Sequence, residues 1–249
     1  MSDIPLYPSE RIDDLLTHDL RIIQSDEVFS FSLDAVLLAR FCTVPARGRI
    51  IDLCSGNGVI PLLLSTRSKL PITGVEIQPR VADMARRSVQ MNRLEDRIEI
   101  IESDLRVYAY EVPPGSYDLV TVNPPYLPQS IGMRNQNDHM AIARFEIMCT
   151  MDEVVAAASR LVKNGGKVAV VHRASRLAEL ITSLRAHRLE PKRLRMVHPR
   201  AGAEANMVLV EAIRDANPEL RVLPPLFVYE GNQYCQELLE IYYGKRSHF

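Results

Sequence analysis

No uninterrupted apolar run in this 249-residue chain approaches the ~18 residues that a membrane span requires. Its start, MSDIPLYPSERIDDLL, carries acids and prolines where a secretory leader would show a basic end and an apolar stretch. Both absences argue against insertion or export and lead to the expectation of a cytoplasmic protein. Cysteine is sparse. Cys42, Cys54, Cys149 and Cys235 lie far apart, form no CxxC, and stand near no histidine cluster at metal-ligand spacing, so reduced core thiols are expected and no metal is implied. None of the six histidines has a sequence neighbour that suggests catalysis. Repeats and low-complexity linkers are missing too, and with 47% apolar residues the chain can bury a full core as one large domain or as one domain with small extensions.

What is present is an alternation of strand-like and helix-like segments. Arg49 to Cys54, Pro71 to Ile77, Arg97 to Asp104, Tyr117 to Asn123 and Gly165 to His172 read as buried strands. Helical patterns fall at Arg80 to Asn92, Met151 to Val162 and Ser175 to His187. Two late strands, near RLRMVH and NMVLVEAI, have no helix between them and pair as a hairpin. This order predicts an α/β fold: a largely parallel, seven-stranded, Rossmann-like sheet with an antiparallel edge strand and helices on both faces.

In such sheets ligands sit beyond the carboxyl ends of the strands. Four places there carry chemistry. Asp52, Ser55, Gly56 and Gly58 follow the first strand, where glycines admit a ligand close to the backbone. Glu76 with Ile77 ends the second, placed to accept both hydroxyls of a ribose, and Asp104 with Leu105 follows the third, within reach of an adenine amine. Asn123-Pro124-Pro125-Tyr126 ends the fourth. Taken singly, each acid reads as a helix cap or a surface charge. The glycine turn alone would also suit a dinucleotide enzyme, but Pro61 stands where the third glycine of G-x-G-x-x-G belongs. The four together resemble the S-adenosyl-L-methionine (SAM) pocket of class I methyltransferases.

Asn123 to Tyr126 matches the [DNS]-P-P-[YFW] motif of methyltransferases acting on a planar, conjugated nitrogen. Such a nitrogen is a poor nucleophile because its lone pair is delocalised. The resemblance implies that the Asn123 side-chain oxygen and the Pro124 carbonyl accept the two N–H groups and localise that lone pair. The prolines remove backbone donors and fix the carbonyl's direction. Tyr126 offers a stacking face worth ~1–3 kcal/mol.

RIDDLLTHDLRIIQSDEVFSFSLDAVLLARF, DLCSGNGVIPLLL, GVEIQ and NPPY, followed by VHRASRLAELI, EPKRL, VHPRAGAEANMVLVE and LPPLFVYEGNQY, resemble nearly end to end the bacterial adenine-N6 methyltransferases of valine tRNA, Gram-positive branch. The family modifies the adenine just 3′ of the anticodon. The likeness implies SAM as cofactor, a tRNA anticodon stem-loop as partner and no membrane. It also implies an N-terminal segment, residues 1–47, folding over the cofactor site of a methyltransferase domain, residues 48–249. Phe29, Phe31 and Asp34 lie in that segment, where AVLLARF reads equally as an ordinary core helix. One departure is ARFEI, where relatives are expected to read ARHEI, so Phe145 replaces a histidine.

Charge supplies the RNA expectation. Arg160 to Arg200 holds eleven Lys/Arg against Glu179 and Glu190, about +9, leaving about −10 elsewhere. A polyanionic partner would meet this segment, although solvated helix faces give the same count. Arg193, Arg195, His198 and Arg200 are the candidate phosphate contacts; His198 before Pro199 is also a simple turn residue. A guanine-N2 methyltransferase of ribosomal RNA, a glutamine methyltransferase of release factors and an inactive RNA-binding module remain as alternatives.

Overall fold

The structure is a computed structural model, described for residues 4–28, 33–126 and 149–243. Phe29, Phe31 and Phe145 lie outside the described residues. The chain runs β1 (Glu10–Asp14), β2 (Arg21–Ser25), α1 (Leu33–Phe41), β3 (Ile50–Leu53), α2 (Val59–Ser65), β4 (Ile72–Glu76), α3 (Pro79–Met91), β5 (Ile98–Glu102), α4 (Leu105–Glu111) and β6 (Tyr117–Val122). After residue 148 follow α5 (Met151–Leu161), β7 (Val162–Arg173), a 3-10 turn (Ala174–Arg176), α6 (Leu177–Ala186), β8 (Leu189–Arg200) and β9 (Met207–Arg214). The chain then adds β10 (Arg221–Val222), β11 (Leu226–Glu230), β12 (Gln233–Tyr234) and α7 (Gln236–Tyr242).

The main sheet has the order β12-β11-β8-β9-β7-β6-β3-β4-β5, with β10 pairing β8. Strands β3 to β7 are mutually parallel, as the strand-helix alternation predicts. Two expectations need correction. The antiparallel strand is not an edge: β9 inserts between β7 and β8. Its MVLVEAIR run buries every residue from Val208 to Ala212, and both of its edges are paired, one to β7 and one to β8. Nor does the sheet stop at seven strands, because the segment after β9 folds back as β10 to β12. The two-residue β12 then forms a short edge, the kind that limits pairing with other chains.

Alternating side chains divide the core between the two sheet faces. Ile50, Ile72, Leu119 and Val171 point toward α1, α2 and α3, while Ile51, Val75, Val120 and Val170 pack with α4, α5 and α6. Local signals start the helices. Thr150 and Glu153 form a capping box at α5, and Pro79 opens α3 with its φ already suited to a helix. Pro61 sits in the first turn of α2, where its missing N–H leaves no helical bond unmade. The missing third glycine therefore does not loosen the packing, since Leu62, Leu63 and Leu64 are fully buried.

The β1-β2 hairpin stands outside the main sheet and packs on α3 through Ile23, Val81 and Met84. It is tied there by Ile23 N–H donating to Ser88 Oγ at 2.9 Å. No helix of the described residues is long and apolar enough to cross a membrane. All four cysteines are free, and among the described residues no group of three or more His, Cys, Asp or Glu is placed to hold a metal.

Candidate active site

The carboxyl ends of β3, β4 and β6 bring together residues far apart in sequence. Asp52 is fully buried in β3, level with Thr121 of β6 and Gly74 of β4. Thr121 Oγ1 donates to Asp52 Oδ1 at 2.6 Å. Asp52 Oδ2 and Ser55 Oγ are buried but make no hydrogen bond of ordinary geometry among the described residues. Burial outweighs the help of Thr121 and pushes the Asp52 carboxyl up to about 7. Gly74 is needed beneath this turn, since a Cβ there would lie 2.7 Å from Ser55 Oγ and 2.8 Å from Ile100 Cδ1.

Glu76, also buried, braces the turn from the next strand. Its Oε2 accepts Gly56 N–H at 2.9 Å and its Oε1 accepts Gln78 N–H at 3.0 Å. Burial raises its pKa, opposed by those amides and by that of Ile77. A carboxylate has about four acceptor sites, so these three amides leave about one open. Above the turn there is space: a Cβ on Gly56, whose φ is +55°, would meet nothing within 4 Å. Asn57 Nδ2 donates to Ile23 carbonyl at 3.2 Å, fastening the turn to β2.

Asp104 lies beyond β5 and does act as a helix cap, accepting Arg106 N–H of α4 at 2.9 Å. Arg106 also pairs with its carboxylate and holds it below the usual range. A ligand amine at Asp104 would share the carboxylate with that guanidinium, and Leu105 N–H stands beside it at the start of α4.

At the end of β6, the Tyr126 hydroxyl reaches both Asp34 Oδ2 and Asn123 Oδ1. Desolvation and the Asp34 charge raise the tyrosine's pKa, so the hydroxyl stays protonated and its single proton serves one acceptor at a time. Asp34 comes from the first turn of α1. That helix is core, with Ala35 to Ala39 almost fully buried, and its first turn also brings the Asp34 carboxylate to the Tyr126 hydroxyl.

His172 and Arg173, at the end of β7, complete the surroundings. The imidazole packs edge-on to Tyr126, with ring centroids 5.4 Å apart at 77°, and the Arg173 guanidinium lies over the same ring at 5.6 Å. Arg176 Nη1 donates to the Tyr126 carbonyl at 3.2 Å. Burial, aided by Arg176, lowers the His172 pKa to about 4, and neither ring nitrogen has a hydrogen-bond partner among the described residues. Inspection of the histidines for sequence neighbours missed it. The available signal was positional: VVHR ends an apolar strand with two polar residues at the carboxyl end, where the ligand belongs.

In the basic segment, two of the candidate phosphate contacts have partners inside the chain. Arg193 donates to Thr43 Oγ1 at 2.7 Å and to Glu211 Oε1 at 3.1 Å. Arg195 is buried and forks onto both Glu237 oxygens at 2.7 and 2.9 Å. Each therefore has a carboxylate partner within the chain, Arg193 in Glu211 and Arg195 in Glu237, and so has less of its charge to offer a phosphate. His198 Nδ1 lies 2.8 Å from the Ala203 carbonyl, as a turn residue would, and its ring leans on Phe227. Arg200 stays exposed.

A family model, the methyltransferase small domain, matches residues 19–184, which span every strand end just described. The chain belongs to the methyltransferase small domain family. It is similar to the tRNA1(Val) (adenine(37)-N6)-methyltransferase of Aeromonas hydrophila, 31% identical over 186 residues, covering 74% of this chain and 76% of that one. The protein of the same description from Yersinia pestis is 33% identical over 140 residues, 55% of either chain, so the match spans about half the length of that relative. Among solved structures, a protein described as a predicted O-methyltransferase from Agrobacterium tumefaciens superposes with a TM-score of 0.69 at 25% identity, covering 86% of this chain and 98% of that one. A geranyl diphosphate C-methyltransferase from Streptomyces coelicolor, solved with S-adenosyl-L-homocysteine, shares the fold, with a TM-score of 0.55 at 13% identity over 73% and 76% of the chains.

Membership in this family makes the chain a SAM-dependent methyltransferase, and the residues present fit the cofactor. Asp52 Oδ2 and Ser55 Oγ are buried without ordinary partners, Glu76 has an acceptor site to spare, and the space over Gly56 is open. When bound, SAM supplies an electrophilic methyl group on a sulfonium. Asp52, Ser55, Gly56 and Gly58 would hold its amino-acid end, Glu76 the ribose, and Asp104 with Leu105 the adenine.

Proposed function

We propose that this chain methylates the exocyclic N6 amine of an adenine in tRNA, the adenine 3′ of the anticodon in a valine tRNA. The observation that carries the reading is the Asn123 carboxamide at the end of β6, flanked by Tyr126 and adjoining the acids of the cofactor pocket. The names of the Aeromonas and Yersinia relatives support adenine in tRNA as the acceptor.

In this reading Asn123 Oδ1 and the Pro124 carbonyl accept the amine's two N–H groups. Oδ1 has two lone pairs, so it can take an amine proton while the Tyr126 hydroxyl turns to Asp34. Localising the lone pair makes the nitrogen nucleophilic, and fixed acceptors do this without reorganising at the moment of reaction. Tyr126 provides the stacking face, with His172 bracing its ring. Residues 1–47 act as a cover: Asp34 holds the Tyr126 hydroxyl, and the Ile23 carbonyl holds Asn57 beside the glycine turn.

The test is transfer of labelled methyl from SAM to total tRNA and to ribosomal RNA from a strain lacking the gene, followed by digestion to nucleosides. The expected product is N6-methyladenosine from tRNA, absent with Asn123→Ala. Label in N2-methylguanosine of ribosomal RNA, or in protein glutamine, would overturn the acceptor assignment.

A further inference from the structure

The segment from Arg160 to Arg200 holds a large excess of positive charge in sequence, but the fold neutralises most of it. Lys163, Arg176, Arg185, Arg188, Arg193 and Arg195 each meet a carboxylate. Arg160 and Lys192 donate to main-chain carbonyls. The side chains of Lys167, Arg173 and Arg200 make no hydrogen bond or ion pair with the described residues. Lys167 lies near the start of β7's pairing with β6, level with Leu119 and away from the site. Arg173 and Arg200 both stand at the carboxyl end of the sheet, at the last residues of β7 and β8, and both are exposed.

The two share a construction. Each guanidinium rests over a tyrosine ring, Arg173 over Tyr126 at 5.6 Å and Arg200 over Tyr229 at 5.7 Å. Tyr229 is stacked in turn on Tyr234 at 5.1 Å, and Tyr234 on Tyr242 of α7 at 6.1 Å, so β11, β12 and α7 build a support for Arg200. A cation held over an aromatic face keeps its planar donor edge for other partners. Strand register sets their separation. Arg173 and Val197 both pair with Met207, two strand spacings apart, and Arg200 lies three residues beyond Val197. That places the two backbones roughly 14 Å apart. Successive phosphates of a folded single strand can span such a gap.

We propose that Arg173 and Arg200 are the two phosphate contacts that seat the RNA strand, with Arg173 holding the backbone of the nucleotide whose base stacks on Tyr126 and Arg200 holding the strand farther along. This rests on the RNA reading of the active site and moves the phosphate contacts away from Arg193 and Arg195. Bidentate guanidinium-phosphate bonds form when RNA arrives, and the contacts carry no sequence preference of their own.

The test uses the full chain and an unmodified transcript of the substrate tRNA, with equilibrium binding measured across a salt series and methyl transfer measured in parallel. For Arg173→Gln and for Arg200→Gln we expect tRNA affinity to fall about tenfold. Each should reduce the slope of log affinity against log salt by about 0.7, the counterions of one phosphate contact. SAM binding should be unchanged. Arg200→Gln should raise KM for tRNA with kcat kept, and Arg193→Gln should leave the salt slope at the wild-type value. If the wild-type chain methylates tRNA but either variant retains wild-type slope and KM, the two-point seat is wrong. If the wild-type chain methylates no RNA, the RNA reading itself fails, a result distinguishable from failure of these contacts alone.

Discussion

The cofactor pocket and the outer flank of the sheet both bury charge, in opposite ways. Around Asp52 and Glu76, carboxylates lie in the interior with backbone amides or a threonine hydroxyl for company and, among the described residues, no cation paired to them. Around Arg193 and Arg195, each inward cation has its carboxylate, Glu211 or Glu237. A buried charge without its opposite costs stability, and one that persists has a partner still to come; a buried charge already matched is part of the scaffold. On this contrast the pocket acids are the ones left to meet a ligand in the proposed reading, whereas Arg193 and Arg195 are matched within the chain.

The largest test of the contrast lies at the chemistry. Asn123→Ala should lower kcat for methyl transfer by about 10²–10³, the usual cost of losing one aligned polar group at a reacting centre. SAM affinity measured by calorimetry should stay near wild type. Loss of cofactor binding as well would make Asn123 part of the pocket rather than of the transfer.

On the flank, Glu211→Ala should destabilise the fold by about 3 kcal/mol in urea unfolding, because it strands Arg193 together with the Thr43 amide and hydroxyl. A change within about 0.5 kcal/mol, the range of ordinary surface sites, would remove the distinction between the two regions.

The pocket should respond with the opposite sign. Asp52 titrates near 3.8 when exposed and at about 7 in the fold. Stability is therefore whole below the lower value and is lost as pH rises through the upper one. Asp52→Asn should raise the ligand-free protein's stability by ~1–3 kcal/mol at pH 8, with little effect at pH 4, while weakening SAM binding. A variant less stable at pH 8 would show that the carboxylate is a structural brace after all.

His172 offers the smallest and mirror-image effect. Its pKa falls from 6.5 to about 4 on folding, so its contribution is whole above 6.5 and is lost as pH drops toward 4. His172→Phe keeps a ring against Tyr126 and should flatten the pH dependence of stability between those values. An unaltered acid limb would assign the loss to other groups.

Comparison of particular elements shows why some features were legible in sequence. β3, β4 and β6 are short apolar runs ended by polar residues, and α3 and α5 carry their own start signals, so these elements follow from local pattern. Asp52, Glu76, Asp104 and Asn123 could be placed because strand ends in a parallel sheet converge. The β1-β2 hairpin and β10 to β12 were missed: they are short strands whose apolar faces are completed by α3 and by β8, neighbours that local periodicity does not reveal. The insertion of β9 was missed for a related reason, since a hairpin's pairing does not say which of its strands joins the larger sheet.

By itself, the sequence determined the α/β alternation, the glycine turn after β3 and the polar residues that end the strands, because these depend on residue type and local spacing. Tertiary structure alone decided which charges remain free. Arg173 and Arg195 are the same residue in the same basic stretch, yet one rests over Tyr126 with no carboxylate partner among the described residues and the other is locked to Glu237, 42 positions further along the chain. Charge counts carry no distances, and the free energy of a charge is set by the distance to its partner and by the water it has lost.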